Sequence, residues 1–227
     1  MSVLTPRQAY RLWAPHYRGD NALCVLEDQL VSSLMPSPRG RRLLDVGCGT
    51  GLRLRDCGAA YAFGVDASPE MLSAGGLTNV ATADVRALPF PSNHFDLIWC
   101  RLMLSYLPNL KPAYAELARV CCDGGQLMVS DFHAAAIQAG HRQTFRDTEG
   151  TLHEITQYRH DAVAHEAAAA AAGLTMTLAH DGVVGPAIRP VYERANRLNM
   201  YARDEGLAVV VLFLFQKSYD RVSDRSL

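Results

Sequence analysis

Three alternate glycines follow a short apolar segment near position 45 of this 227-residue chain. Residues 43–46 (LLDV) lead directly into Gly47, Gly49 and Gly51, which are separated by Cys48 and Thr50. Glycine has no Cβ, so it adopts positive φ at little cost and lets main chain approach a ligand closely. A turn of this kind that opens a helix presents free N–H groups, which bind a carboxylate or a phosphate. The pattern predicts a cofactor-binding turn.

Two aspartates end the next two apolar segments. Asp66 ends AYAFGVD, and Asp84 ends NVATAD. Residues at the ends of the strands of an open sheet lie where its ligands bind. A dinucleotide turn requires G-x-G-x-x-G, and Leu52 stands where the third glycine would fall. This departure weakens the interpretation of the turn as a dinucleotide site.

The elements that must position these residues are short apolar segments alternating with helical patterns. Seven segments have the length and character of strands: RRLLDVG, AYAFGVD, NVATAD, FDLIWC, GQLMVSDF, GLTMTLAH and AVVVLFLFQK. Alternation of strand and helix requires parallel strands joined by crossovers that cover both faces. We therefore predict an α/β fold with a doubly wound, mostly parallel seven-stranded sheet and helices on both faces. Ligands of such sheets lie at the carboxyl ends of the strands.

Composition excludes several classes of protein. The net charge of −1 gives no overall basic field of the kind that draws a protein to nucleic acid. Six cysteines show neither a C-x-x-C pair nor metal-ligand spacing, so we expect free thiols in a reducing compartment and no metal site. The longest apolar run, residues 207–215, is too short to span a bilayer, and the N-terminus lacks a signal-peptide pattern. A cytoplasmic location is expected.

Four motifs in order resemble those of class I S-adenosylmethionine-dependent methyltransferases: LLDVGCGTG, GVDASPEML, ATADVRALPFPSNHFDLIWC and VCCDGGQLMVSDFH. The chain is most similar to the small-molecule group that includes the ubiquinone/menaquinone and malonyl-carrier-protein methyltransferases. The resemblance covers residues 40–135 well and the flanks only in outline. It implies the Rossmann-like methyltransferase fold, S-adenosylmethionine as cofactor and methyl transfer to a small molecule in a biosynthetic pathway.

The resemblance also implies roles for the glycine turn and the first two acids. The turn, including Cys48, would let main chain approach the methionine part of the cofactor. Asp45 beneath it would organise the amino group, directly or through water. Asp66 would bind the ribose, with Ala67 directly after it.

Further motif positions are implied to surround the adenine and the methyl group. Asp84 would accept a hydrogen bond from the adenine amine, Val85 would offer its backbone N–H, and Met71 would pack on the ring. Cys100 and Arg101 end the fourth strand of the sheet, where the family has small or polar residues near the donor methyl. Arg101 departs from that pattern, and three interpretations stay open: it reaches a substrate carboxylate, it reaches the cofactor carboxylate, or it pairs with an acid at the rim.

The resemblance places the arm and the catalytic candidates less specifically. Tyr17, with its neighbours Trp13 and His16, resembles the arm that covers the cofactor in relatives. Methyl transfer is a displacement that uses an already activated methyl group, so a catalytic base is optional. His133, one residue past the fifth strand, is our first candidate for a base because an imidazole titrates near neutrality. Tyr106 and His153 are the next catalytic candidates. His160 follows them, whereas we expect three other histidines to be solvated: His141, His165 and His180.

The predicted organisation is one domain. Residues 1–39 form an N-terminal helical arm, residues 40–135 the cofactor-binding half, and residues 136–227 a substrate lid with the C-terminal strands. The predicted partner is a small-molecule substrate, with no nucleic acid and no membrane span; the sequence does not indicate the oligomeric state. Two alternatives to a methyltransferase stay open: a cofactor-binding scaffold without transferase activity, and an NAD-dependent oxidoreductase. The sequence also leaves open whether the methylated atom is O, N or C.

Overall fold

A computed structural model describes residues 2–219 of the chain. The strands are β1 (Ser2–Leu4), β2 (Arg42–Val46), β3 (Tyr61–Asp66), β4 (Val80–Thr82), β5 (Phe95–Arg101), β6 (Cys121–Phe132), β7 (Thr144–Arg146), β8 (Leu152–Ile155), β9 (Leu174–Val183) and β10 (Ala208–Lys217). The helices are α1 (Pro6–Trp13), α2 (Ala22–Leu34), α3 (Pro69–Gly75), α4 (Lys111–Val120), α5 (Ala134–Gln138), α6 (Ala162–Ala171), α7 (Arg189–Arg194) and α8 (Leu198–Asp204). No helix within the described range is both long enough and apolar enough to cross a membrane.

Seven strands form the central sheet in the order β4-β3-β2-β5-β6-β10-β9. The five strands from β4 to β6 are parallel, while β10 runs antiparallel to both β6 and β9. The prediction of a doubly wound, mostly parallel seven-stranded sheet is confirmed. The chain runs outward from β2 to β4 and then returns to β5 beside β2. The strand order therefore reverses between β2 and β5, which is the point where such sheets bind ligands.

Alternation along the strands builds a separate core on each face of the sheet. Leu43 packs in one cluster with Leu30 of α2, whereas Leu44 packs in the other with Leu117 of α4. Leu43 and Leu44 are both fully buried. Because successive side chains point to opposite faces, a run such as β2 is apolar throughout only when both faces are covered. This is why the strands could be located from sequence.

The segment after the glycines forms a single 3₁₀ turn over residues Leu52–Leu54. The prediction that His141, His165 and His180 are solvated is wrong for His165. His165, expected to be solvated, is fully buried, and its Nδ1 lies 2.9 Å from the hydroxyl oxygen of Tyr114. His165 lies on the buried side of α6 with Ala168 and Ala169, so the helical period places it in the core.

The structure also contains a second, three-stranded sheet, which was not predicted. Its order is β1-β8-β7, with β1 parallel to β8, so the arm pairs with the insertion that follows β6. The hydroxyl of Ser2 lies 2.7 Å from Nδ1 of His153, and Nε2 of His153 lies 2.7 Å from a carboxylate oxygen of Asp147. Trp13 at the end of α1 stacks on Phe145 of β7 with ring centroids 5.1 Å apart. The arm and the insertion therefore form one wall.

A buried ion pair joins α2 to the carboxyl ends of β5 and β6. Glu27 of α2 is fully buried, and its Oε1 accepts hydrogen bonds from Nε of Arg101 at 2.8 Å and from the hydroxyl of Ser130 at 2.5 Å. A second guanidinium nitrogen of Arg101 donates to the other oxygen of Glu27 and to Asp28. Burial raises the pKa of Glu27, but the hydrogen bonds and charge of Arg101 outweigh it and hold that pKa below its usual value.

Removing this carboxylate should destabilise the fold strongly. Glu27→Ala leaves the Arg101 guanidinium buried with only the half-exposed Asp28 as its acidic partner, which costs about 3–5 kcal/mol in comparable buried pairs. Urea unfolding of the variant against the wild-type chain measures this loss. The control is Asp96→Ala at the exposed Arg42–Asp96 pair, which should cost less than about 1 kcal/mol. Equal losses in the two variants would contradict a special role for the buried pair.

Candidate functional site

A cavity of about 1460 Å³ lies at the carboxyl ends of the parallel strands. The strand-end residues in its wall are 46–50, 66–68, 82–86 and 101–103. We name the part walled by the ends of β2, β3 and β4 the nucleotide half. The distal half is walled by α1, by residues after β6 and by residues between β9 and β10. Ligand pockets commonly measure about 300–1,000 Å³, so this cavity has room for two ligands side by side.

The glycine turn brings main chain to the wall of the nucleotide half. Gly47 and Gly49 both line the cavity and have φ of 74° and 59°, a region that glycine adopts without strain. A Cβ on Gly47 would lie 2.8 Å from Cγ of Met103, too close for a side chain. Cys48 also lines the cavity, whereas Gly51 lies behind the turn and is absent from the cavity wall. The predicted contact between Gly51 and the cofactor is therefore corrected: Gly51 shapes the turn from behind.

Asp66 fixes the glycine turn and keeps acceptor capacity for a ligand. One carboxylate oxygen accepts the N–H of Gly49 at 2.8 Å, and the other accepts the N–H of Ser68 at 2.8 Å. Burial raises the pKa of Asp66, while these backbone hydrogen bonds oppose the rise. Each carboxylate oxygen has two lone pairs, so one on each oxygen remains for a further donor. Asp66 and Ala67 both line the cavity, and their predicted role in ribose binding stays a prediction.

Asp45 is a buried carboxyl group without a hydrogen-bond partner. Its side chain is fully buried, and neither oxygen has a partner among residues 2–219. Burial raises its pKa to about 6, although the positive charges of Arg53 and Arg101 oppose the rise. Asp45 is not part of the cavity wall. Asp45 can therefore affect a bound ligand only through the glycine turn or through a bridging water. Of the two predicted modes of contact with the amino group, direct and through water, only the second fits this position.

The far end of the nucleotide half is formed by the segment after β4. Asp84, Val85 and Met71 line the cavity there, in the positions predicted to surround the adenine. Met71 and Val85 are buried, which suits contact with a flat apolar ring. A carboxylate oxygen of Asp84 lies 2.6 Å from the guanidinium of Arg86, and this pairing lowers the pKa of Asp84. The carboxylate is therefore shared between Arg86 and any bound donor.

Two predictions at the end of β5 need correction. Cys100 is fully buried in the core on the α4 side and does not line the cavity, so it cannot contact a donor methyl there. Arg101 does line the cavity, but its guanidinium is bound by Glu27 and Asp28. Of the three interpretations left open for Arg101, the structure shows pairing with acids, although Glu27 is buried and does not lie at a rim.

Two tyrosine hydroxyls meet in the distal half. The hydroxyl oxygens of Tyr10, on α1, and Tyr106, after β5, lie 2.8 Å apart, and that of Tyr106 is also bonded to the side chain of Gln143. Burial raises the pKa of Tyr10 to about 12 and that of Tyr106 well above its usual value. Both hydroxyls therefore stay protonated at neutral pH; the Tyr106 hydroxyl donates to Gln143, so the Tyr10 hydroxyl donates to Tyr106. Tyr17 lines the cavity beside them, and burial raises its pKa too.

The histidines predicted as bases lie elsewhere. His133 caps the start of α5, where its Nδ1 accepts the N–H of Ala135 at 3.1 Å, and it is not part of the cavity wall. His153 is held between Ser2 and Asp147 in the second sheet and is also absent from the wall. Neither histidine reaches a group bound in the cavity. The prediction of catalytic roles for His133 and His153 is therefore corrected.

His141 and Asp204, which sequence reasoning missed, meet in the distal half. Both line the cavity, and Nε2 of His141 lies 3.0 Å from a carboxylate oxygen of Asp204. The Asp204 side chain is 2% exposed and also accepts hydrogen bonds from Arg203 at 2.7 and 3.2 Å. Nδ1 of His141 has no hydrogen-bond partner in the described part of the chain. The expectation that His141 is merely solvated was wrong, because its partner comes from α8, 63 residues away.

The buried, unpartnered Asp45 should make stability depend on pH. Its pKa of about 6 lies above the ordinary 3.8, so the folded state disfavours the ionised form. The penalty is absent below about pH 4, grows as pH rises through 6 and is complete above it. Asp45→Asn should therefore be more stable than the wild-type chain by about 1–3 kcal/mol at pH 8 and equally stable near pH 4. Urea unfolding of the ligand-free proteins at both pH values measures the difference, and a difference independent of pH would refute it.

Comparison with known proteins identifies the same region. Residues 44–129 match the sequence family described as a methyltransferase domain. The chain is 32% identical over 131 residues to a malonyl-[acyl-carrier protein] O-methyltransferase from Enterobacter lignolyticus, covering 55% of this chain and 52% of that protein. It is 36% identical over 107 residues to a phosphatidylethanolamine N-methyltransferase from Cereibacter sphaeroides, covering 42% and 53%. The chain thus spans about half the length of these curated relatives.

Solved structures share the whole architecture. The crystal structure of an S-adenosylmethionine-dependent methyltransferase from Mesorhizobium loti superimposes with a TM-score of 0.66 at 19% identity. The match covers 85% of this chain and 98% of that one. At this identity the likeness shows the fold alone. Residues 44–129 match the methyltransferase domain family, and the chain shares its fold with a solved S-adenosylmethionine-dependent methyltransferase.

Proposed function

We propose that this chain transfers a methyl group from S-adenosylmethionine to a small-molecule acceptor. The observation that carries the proposal is the pairing of Asp66 with the glycine turn at the point where the strand order reverses, beside a cavity with room for donor and acceptor together. The two curated relatives are named as an O- and an N-methyltransferase, so the methylated atom stays open. Six free cysteine thiols are typical of a reducing compartment and support a cytoplasmic location.

The residues of the nucleotide half fit this cofactor. Asp66 retains one lone pair on each oxygen, which suits two ribose hydroxyls. Met71 and Val85 offer a buried apolar surface for a base, and Asp84 offers an acceptor beside it. The unpartnered carboxyl of Asp45 lies behind the turn, where a bridging water would link it to the ammonium group of the cofactor. The bound cofactor supplies an activated methyl group on a sulfonium.

The chain's own residues would align the acceptor, exclude water and accept a proton. Tyr10 and Tyr106 are held protonated, so they cannot remove the acceptor's proton, and their hydroxyl protons are bonded within the Tyr10–Tyr106–Gln143 chain. The wall formed by the arm and the insertion separates this region from bulk water. His141 is the group in the distal half suited to accept a proton. Assigning the Nε2 proton to the contact with the buried Asp204 leaves Nδ1, which has no partner within residues 2–219, as the free base.

The cofactor assignment can be tested by ligand binding alone. S-adenosylhomocysteine, S-adenosylmethionine and NAD are titrated separately into the wild-type chain and into Asp66→Ala by calorimetry. We expect the two sulfur ligands to bind the wild-type chain and NAD not to bind. Asp66→Ala should bind S-adenosylhomocysteine at least about tenfold more weakly, because two charge-assisted hydrogen bonds are lost. The control is Asp123→Ala, at a residue outside the cavity wall, which should bind normally.

Binding of NAD in place of the sulfur ligands would overturn the cofactor assignment. Tight binding of S-adenosylhomocysteine without transfer to any acceptor would favour a scaffold. An unchanged dissociation constant in Asp66→Ala would remove that residue from the ribose site while leaving the fold assignment intact.

The role of His141 can be tested once transfer is detected in a panel of carboxylic acids, phenols and amines. With an acceptor that must lose a proton, His141→Asn should lower kcat by at least about 100-fold, because general-base catalysis contributes about 10²–10⁴. The exposed His180 supplies the control, His180→Asn, with unchanged kcat. An unchanged kcat in His141→Asn would rule His141 out as the base.

A further inference from the structure

We propose that the distal half binds an anionic group of the acceptor, a carboxylate or a phosphate, through Arg194 and Arg197. The inference rests on the proposed function, because it names the class of acceptor for the same cavity. Both arginines line the cavity and both are exposed. The group they hold is the recognition handle of the acceptor, and no chemical step takes place on the arginines.

A tight turn between α7 and α8 brings the two arginines to one wall. Arg194 is the last residue of α7, and Arg197 directly precedes α8. Asn196 between them has φ of 52°, a left-handed conformation that asparagine tolerates better than most residues. The N–H of Arg197 donates to the carbonyl of Tyr192 at 2.8 Å, which closes the turn. The two guanidinium groups therefore belong to one short, well-defined segment.

These two positive charges are not neutralised by the protein. Neither Arg194 nor Arg197 forms a hydrogen bond or ion pair through its side chain within residues 2–219. The nearby acid of the wall, Asp204, already accepts hydrogen bonds from Arg203 and lies against His141. The two guanidinium groups are therefore free to bind an anionic group that enters the cavity.

A third arginine of the same wall is already engaged. Arg142 donates to the carbonyls of Ile137 and His141 at 3.2 and 2.7 Å, and its Nε lies 3.7 Å from a carboxylate oxygen of Glu154. It adds positive charge to the wall, but most of its donors are in use. Unlike Arg142, both Arg194 and Arg197 have all of their side-chain donors available to a ligand.

The position of the arginines assigns the anion to the acceptor rather than to the cofactor. They belong to the connection between β9 and β10, the strands at one edge of the sheet. The glycine turn and Asp66 follow β2 and β3, on the other side of β5. A planar guanidinium binds a carboxylate or a phosphate through two parallel hydrogen bonds, so both chemistries fit and a neutral acceptor does not use the pair.

The test is calorimetry on the full-length chain saturated with S-adenosylhomocysteine. The probes are malonate, inorganic phosphate and the uncharged dimethyl malonate. The site variant is the double substitution Arg194→Gln/Arg197→Gln. The control, Arg11→Gln/Arg159→Gln, removes the same two charges at exposed positions outside the cavity wall. We expect at least one anionic probe to bind the wild-type and control chains, and to bind the site variant about tenfold or more weakly. Dimethyl malonate should not bind any of the three.

Each outcome decides a separate point. Loss confined to malonate indicates a carboxylate acceptor, loss confined to phosphate indicates a phosphorylated one, and loss of both indicates a general anion site. The proposal is overturned when neither anion binds the wild-type chain, or when the site variant binds as tightly as the charge-matched control. Failure of the proposed function gives a different result: S-adenosylhomocysteine itself does not bind the wild-type chain in the calorimeter.

Discussion

The buried carboxylate of Glu27 constrains much of the site. A charge with no solvent exposure must be paired and hydrogen-bonded, so α2 has to lie where Arg101 and Ser130 can reach it. Those two residues stand on neighbouring strands at the carboxyl edge of the sheet. The ion pair therefore holds α2, and with it the part of the arm that precedes α2, near the carboxyl ends of the strands. The same contacts occupy the guanidinium of Arg101, which removes it from direct recognition of a ligand.

The cavity depends on a second constraint, the pairing of the arm with the insertion after β6. Strand β1 is only three residues long and lies at the edge of its sheet, so its backbone pairing alone holds it weakly. The contact of His153 with Ser2 and the stacking of Trp13 on Phe145 add side-chain interactions to that pairing. This explains why a histidine that resembled a catalytic base from sequence serves a structural purpose. It also gives the distal half a wall of its own, independent of the cofactor-binding turn.

Local sequence predicted the parallel sheet and the nucleotide half because both depend on patterns within a few residues. Doubly covered strands read as continuous apolar runs, and the glycine turn lies directly after one of them. The error at Cys100 and Arg101 had an available signal: adjacent residues in a strand face opposite sides, so one of the two had to point into the core. Glu27 carried a signal as well. It lies in register with Leu23, Leu30 and the other apolar positions of α2, and a charge in such a stripe requires a buried partner.

The distal half could not be predicted in the same way, because its chemistry is made by contacts between distant segments. His141 gains its carboxylate from α8, and Tyr106 gains its hydroxyl partners from α1 and the insertion. No spacing rule links residues that are brought together only by the return of the chain between β9 and β10. The strand ends that wall the nucleotide half all lie within the segment 44–129 that matches the methyltransferase domain family. Most of the distal half comes from α1, the insertion and the β9–β10 connection, which lie outside that segment, and loops and connections of this kind vary most between related proteins. Local motifs therefore predict the first half of the cavity and cannot predict the second.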